Sequence, residues 1–381
     1  MRFIHLADSH LGFSSYSRLD DRGRNRIEEM VYSGFEQVIE KIVSLRPDAV
    51  VHAGDVFHHV HPKIRPLFVF QKGLMRLMEE GIPVIIISGN HDAPKSYSLT
   101  SPFRLFEGLK GVHIAQRYQY ECLEAGDHFF HCIPFCIEPQ DYLAEFEKIR
   151  RTGRDVLVMH GLVESLQNRK MRSVGEHELS DSFLKSDFDY IALGHFHGQV
   201  QLSRNAWYSG SVEYFNFGEA GDEKGMLLVD TETDRTEKVA VRPRYMIDHP
   251  AIDCGGMHSE QIAESLMNIC SDEDEVKDKM VRITLKNVNR AAYKKLDQPA
   301  LSRLGAGALY FKIRPEFSDE VEHIERPVDR RSLPEEFSGF LEERAGGERI
   351  PAAIKGDVVT YGSLVMKRAA EARQKEALDA S

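Results

Sequence analysis

Five short apolar runs, rich in β-branched residues, punctuate residues 1–197, and each stops at Asp, Asn or His. Residues 1–7 run into Asp8-Ser9-His10, and 49–54 into Asp55. Residues 83–89 run into Asn90-His91-Asp92, 156–159 into His160-Gly161, and 190–194 into His195-Phe196-His197. Short continuous apolar runs of this kind read as strands buried on both faces. In a layered α/β or α+β protein, ligands collect beyond the ends of such strands. Five strand ends bearing these side chains therefore predict one shared polar site.

The segments between them have helical spacing. Residues 21–45 read as a helix through Ile27, Val31, Phe35, Val38, Ile39 and Ile42. Residues 64–80 form a second, with Leu67, Phe70, Leu74, Leu77 and Met78 on one face and Phe68 and Met75 off it. A helix apolar on more than one side is expected to be buried twice, in the core or against a second subunit. Short helices are expected at 96–109 and 142–151, and strands of a second sheet at 111–135. Residues 200–241 alternate apolar and polar with Gly-containing turns, and so predict antiparallel strands closing that second sheet.

After Pro243 the pattern restarts as β-α-β-α-β, an α+β unit at 244–318. Residues 319–332, charged and Pro-containing, read as a linker. Residues 333–381 read as a helix-loop-helix tail whose apolar faces, Phe337, Phe340 and Leu341, then Val358, Tyr361 and Val365, are too small to fold alone and are expected to dock on a partner. The first domain is then 1–243.

No run is long enough to span a membrane, and no signal-peptide pattern precedes the first strand, so a cytoplasmic protein is expected. Five scattered cysteines without a CxxC pair fit reduced thiols. A net charge of −11 argues against a protein coated in basic surface, while leaving room for a local basic groove. Candidates for such a groove are Arg22, Arg24 and Arg26, Lys63 and Arg65, and Asn168 to Arg172.

The strand-end residues have the chemistry of a pair of divalent cations. Such a pair needs mixed oxygen and nitrogen ligands and one bridging carboxylate, and it promotes in-line displacement at phosphorus. Asp8 and His10 lie two apart; Asp55 can bridge; Asn90 offers a neutral oxygen; His160, His195 and His197 offer imidazoles. Mixed N/O ligation without thiolates suits manganese, iron or zinc in a reactive site rather than structural zinc.

The order DxH, GD, GNHD, MHG, GHxH resembles the calcineurin-like metallophosphoesterase superfamily. The flanks, His5-Leu6-Ala7-Asp8-Ser9-His10-Leu11-Gly12, Gly54-Asp55-Val56-Phe57-His58 and Tyr208-Ser209-Gly210-Ser211-Val212-Glu213, resemble the double-strand-break repair nucleases of the SbcD type, the meiotic-recombination-eleven family. The likeness is close over 1–243 and limited to layout over 244–318. It implies a four-layer αββα sandwich with a small α+β capping domain that helps bind DNA and a helical C-terminal tail. It also implies two divalent ions, with manganese the expected metal: one on Asp8, His10, Asp55 and His197, the other on Asp55, Asn90, His160 and His195. His91 matches the family's catalytic histidine, which meets the scissile phosphate and protonates the leaving 3′ oxygen. Asp92 then orients His91 or caps a helix, and His58 is a further histidine near the phosphate or a solvated loop residue. The implied activity is 3′-5′ exonuclease and endonuclease on DNA, with an SMC-like coiled-coil ATPase of the SbcC type docked on the tail and a homodimer through helices 64–80 and 96–109. Tyr214 stands where the family often carries Arg.

Two other readings fit parts of the pattern. One is a phosphomonoesterase or phosphoprotein phosphatase of the same superfamily, although Val56-Phe57-His58 lacks the phosphate-binding Arg usual in protein phosphatases. The other is a non-catalytic scaffold, although none of the seven ligand positions is lost.

Overall fold

A computed structural model describes residues 1–15, 19–96, 99–167, 178–241 and 244–318, together with 337, 357, 360–362, 364 and 365. Met1–Ser318 is one compact unit, and residues 319–381 are a second.

The first unit is built on two six-stranded sheets. Strands β1 (Arg2–Leu6), β2 (Ala49–His52), β3 (Val84–Ile87) and β4 (Val112–Ala115) run parallel to their neighbours in one of them. The hairpin Gly225–Asp230 and Arg235–Ala240 extends that sheet antiparallel to β1. In the other sheet, β5 (Glu121–Ala125) and β6 (His128–Ile133) form an edge hairpin beside β7 (Asp155–His160). Tyr190–Gly194 and Ala206–Tyr208 continue it in parallel.

Alternation along β1 to β3 explains why these runs are apolar throughout. Phe3, Ala49, Val51, Ile85 and Ile87 face the other sheet, where they meet Phe130, Cys132, Val156, Val158 and Tyr190. Ile4, Leu6, Val50, Val84 and Ile86 face the opposite way, onto helices α1 (Arg26–Leu45) and α2 (Ile64–Glu79). The second sheet's outer face packs on α3 (Pro139–Phe146) and its neighbours through Leu157, Met159, Ile191, Leu193 and Tyr142. The layer order is helix, sheet, sheet, helix, as expected.

Phe3 is the keystone of the inter-sheet layer, fully buried and edge-on to Phe130 and Tyr190 at 5.7 and 5.5 Å. Phe3→Ala should cost about 3–5 kcal/mol, from lost burial plus the cavity left behind. Urea unfolding measures it, and a loss under about 1 kcal/mol would mean that the layer collapses around the gap.

Residues 246–317 form a third, parallel sheet (Met246–Asp253, Met280–Val288, Tyr310–Phe317), with helix Ser259–Cys270 and a core of Ile262, Leu266, Val281, Ile283 and Leu285. A separate cluster of Ile27, Tyr214, Phe217, Tyr245, Met246 and Met280 joins it to the sandwich.

Several expectations are corrected. Helix α1 starts at Arg26, because Asn25 caps it by accepting from the Ile27 and Glu28 amides. Among the described residues of 96–109 there is a short 3-10 turn, Pro102–Leu105, and no longer helix. Strand β4 belongs to the first sheet, where it pairs with β3. Residues 200–241 form antiparallel pairs, Val200–Gln201 with Ala206–Tyr208 and Gly225–Asp230 with Arg235–Ala240, but split between the sheets, and Ala206–Tyr208 joins the second sheet parallel to Tyr190–Gly194. Alternation fixes which side chains face inward; it does not say which edge a strand joins. Among the described residues, no helix is long and apolar enough to cross a membrane.

Candidate metal centre

Parallel strands carry their C-terminal ends to the same edge. Because β1, β2 and β3 are adjacent in one sheet, while β7 and Tyr190–Gly194 are adjacent in the other, all five apolar runs end at one place. The β1–β2 pairing continues past the strands: Asp8 N–H donates to Gly54 O at 3.0 Å, and His10 N–H to Asp55 O at 3.0 Å.

The structure brings all seven expected ligands together. Ligand atoms of Asp8, His10 and His197 lie within 4.8 Å of one another, and so do those of Asp55, His160 and His195. Asp55 Oδ2 stands between the two groups, 3.7 Å from His10 Nε2 and 3.3 Å from His160 Nε2. Asn90 Oδ1 lies 2.9 Å from His160 Nε2 and 3.0 Å from His195 Nδ1.

The hydrogen bonds around this cluster test whether it fits cations. His160 Nδ1–H donates to Ala53 O at 2.8 Å, which turns Nε2 onto the Asn90 oxygen. His197 Nδ1–H donates to Glu219 Oε1 at 2.9 Å, which turns its Nε2 toward His10 Nε2 at 3.2 Å. Two Nε2 atoms, each on a ring held from behind at Nδ1, are thus turned onto further ligand atoms of the cluster, which is the arrangement of metal-bound histidines tethered by a second partner. The donor set fits two divalent ions.

The backbone is shaped to the same end. Asp8, His10, Asp55 and His195 have φ of 53°, 42°, 55° and 100°, a region that side chains other than Gly rarely adopt and that is retained where function demands it. Gly89 lies so close that a Cβ there would come within 2.2 Å of Asp55 Oδ1.

Burial disfavours a charged His160 ring, but the Asp55 and Asp8 carboxylates outweigh it and carry its pKa up to about 9. Burial also dominates at His10, and there the pKa falls well below the usual imidazole value. A raised pKa means that His160 keeps its proton below about 9 and releases it as the pH rises. A metal ion must displace that proton. Divalent-metal affinity should therefore climb from pH 6.5 to about 9 and level off above. Calorimetric titration would show it, and an affinity flat across that window would count against His160 as a ligand.

His91 and His58 complete one wall. The His91 ring lies edge-on to His10 at 4.7 Å and stacks on His58 at 5.1 Å. Its Nδ1–H donates to His58 O at 3.1 Å, and its backbone N–H to Asp55 Oδ1 at 2.8 Å. Asp92 is corrected on both readings. Its carboxylate accepts from the Val56, Phe57 and Gly89 amides, so it braces the loops and neither orients the His91 ring nor caps a helix. His52 is buried on Ser9 Oγ at 2.8 Å, whereas His59 and His61 are exposed. Of the basic candidates, Arg24 pairs with Asp20 and Glu29, and Arg65 with Glu29. Residues 168–172 lie outside the described residues.

Sequence reading missed Glu219 and Lys224. Their only signal is a Lys at the head of the apolar strand Gly225–Asp230.

The profile of the calcineurin-like phosphoesterases matches residues 1–216. The chain belongs to the calcineurin-like phosphoesterase family. This phosphoesterase is a hydrolase of phosphate esters with a divalent-metal site. It is 30% identical to the DNA double-strand break repair protein Mre11 of Methanococcus maripaludis, over 65% of this chain and 69% of that protein. It is 31% identical to the Mre11 of Methanocaldococcus jannaschii, with the same coverage. The SbcD component of the nuclease SbcCD of Bacillus subtilis is 25% identical over 91% of this chain and 94% of its own length.

Proposed function

We propose that this phosphoesterase is a manganese-dependent DNA nuclease of double-strand break repair, cutting phosphodiester bonds both 3′-5′ from ends and internally. The observation that carries the reading is an imidazole, His91, set against the His10 ring beside the ligand cluster yet tethered through Nδ1 to a backbone carbonyl. A diester has a poor alkoxide leaving group, so its hydrolysis gains from a proton donor that is not itself a ligand. The names of the Mre11 and SbcD relatives support DNA as the substrate.

Asp8, His10, Asp55 and His197 would hold one ion, and Asp55, Asn90, His160 and His195 the other. Bound there, the pair supplies an activated water and charge neutralisation at phosphorus. The protein's own groups do the rest. Glu219 and Ala53 O fix the His197 and His160 rings. The His58 carbonyl aims the His91 ring, whose Nε2 proton goes to the leaving 3′ oxygen. His58, stacked on His91, contacts the phosphate.

The remaining parts of the reading concern partners. Unit 244–318 is a DNA-binding cap on the 1–243 nuclease domain. The 319–332 linker lies outside the described residues, as does most of the 333–381 tail, which docks on an SMC-like ATPase of the SbcC type; the exposed Tyr361 and Val365 support this. A homodimer forms through α2, where Phe68 and Met75 are 61% and 51% exposed.

The test is manganese-dependent cleavage of linear double-stranded DNA set against dephosphorylation of a phosphopeptide. DNA cutting without peptide turnover supports the nuclease; the reverse result makes the chain a phosphatase.

A further inference from the structure

A buried lysine beside the metal centre has no part in the mechanism above. Lys224 is 2% exposed, and its ammonium donates to three acceptors: His197 O at 3.0 Å, Ser211 Oγ at 2.9 Å and Glu219 Oε2 at 2.9 Å. Glu219, 6% exposed, is equally saturated. Its Oε1 accepts from His197 Nδ1–H at 2.9 Å and Asn216 Nδ2 at 2.6 Å, and its Oε2 from the Phe215 amide at 3.1 Å and from Lys224. An ammonium has three donors and a carboxylate about four acceptor sites, so both groups are fully used.

Burying an ion pair is expensive, and such pairs add little to stability compared with well-packed apolar residues. A saturated pair does fix geometry. Here it fixes one ligand twice, since Glu219 grips the His197 ring and Lys224 grips the His197 backbone carbonyl. Because Lys224 also binds Ser211, the clamp locks the His195–His197 loop onto the turn after Tyr208.

We propose that Glu219 and Lys224 are positioning residues for the ion held by Asp8, His10 and His197, forming a charged clamp that sets the affinity of that ion alone. His160 in the other group is tethered by a neutral carbonyl, so the two ions differ in what lies behind their imidazoles. The inference rests on the two-metal reading.

Manganese binding to the full chain, followed by calorimetry and electron paramagnetic resonance, tests it. Glu219→Gln removes the negative charge and turns one oxygen into an NH2 group that meets donors on either side, His197 Nδ1–H and Asn216 Nδ2 or Lys224 Nζ and the Phe215 amide. It should weaken one of the two manganese sites by about 10–100-fold, as losses behind a ligand do, and leave the other unchanged. Lys224→Met, which removes the grip on the His197 carbonyl and on Ser211, should weaken the same site and leave the other unchanged. The apo melting temperature, measured in parallel, separates positioning from folding. Two unchanged sites, two equally weakened sites, a Lys224→Met chain that loses the other site or neither, or a loss that merely tracks a lower apo melting temperature would each overturn the clamp. A wild-type chain that binds no manganese pair would overturn the two-metal reading and the clamp with it.

Discussion

Asp55→Asn should all but abolish nuclease activity while leaving the fold intact. The substitution keeps the shape of the carboxylate, and its oxygen still accepts from the His91 amide, as Asp55 Oδ1 does now at 2.8 Å. The other oxygen becomes an NH2 group aimed at His160 Nε2 and His10 Nε2, now 3.3 and 3.7 Å away. A donor there satisfies by hydrogen bonding the lone pairs that otherwise hold cations. The bridge and one negative charge are lost together. Lewis-acid stabilisation worth several kcal/mol goes with the ions, and at 1.36 kcal/mol per decade this is a rate loss of about a thousandfold or more. Metal analysis should show fewer than two manganese ions per chain, with an apo melting temperature no lower than the parent's. Two ions bound at parental affinity would remove Asp55 from the bridge.

His91→Ser should act on chemistry and spare binding. The His91 side chain makes no described bond to a ligand residue's carboxylate; its backbone amide does, and serine keeps that amide. Losing a general acid lowers kcat by about 10²–10⁴, while KM and manganese content hold. The loss should shrink on bis(p-nitrophenyl) phosphate, whose leaving group departs without a proton. A variant that cuts DNA as fast as the parent, or one equally impaired on both substrates, would show that His91 is not the acid.

Much of this site could be read in advance because strands concentrate information at their ends. Asp8, His10, Asp55, Asn90, His91, His160, His195 and His197 each close an apolar run, and parallel pairing gathers such ends without further instruction. The four helix and sheet layers followed from the same apolar periodicity. Partner choice between strands did not, since β4 and the 225–240 hairpin have inward faces that suit either sheet. Asp92 misled for a related reason: adjacency to His91 in sequence suggested a side-chain partner, whereas its oxygens reach amides 35 and 36 residues earlier. Glu219 and Lys224 escaped notice because nothing in spacing marks a polar pair whose meeting depends on a 3-10 turn, Phe217–Glu219.

The ligands are divided unevenly between the two sheets. Asp8, His10, Asp55 and Asn90 follow strands of one, and His160, His195 and His197 follow strands of the other. Cations in this position would rivet two slabs that otherwise adhere chiefly through a greasy seam. Chelation would then slacken the sandwich as well as silence it, and resistance to unfolding would report on metal supply.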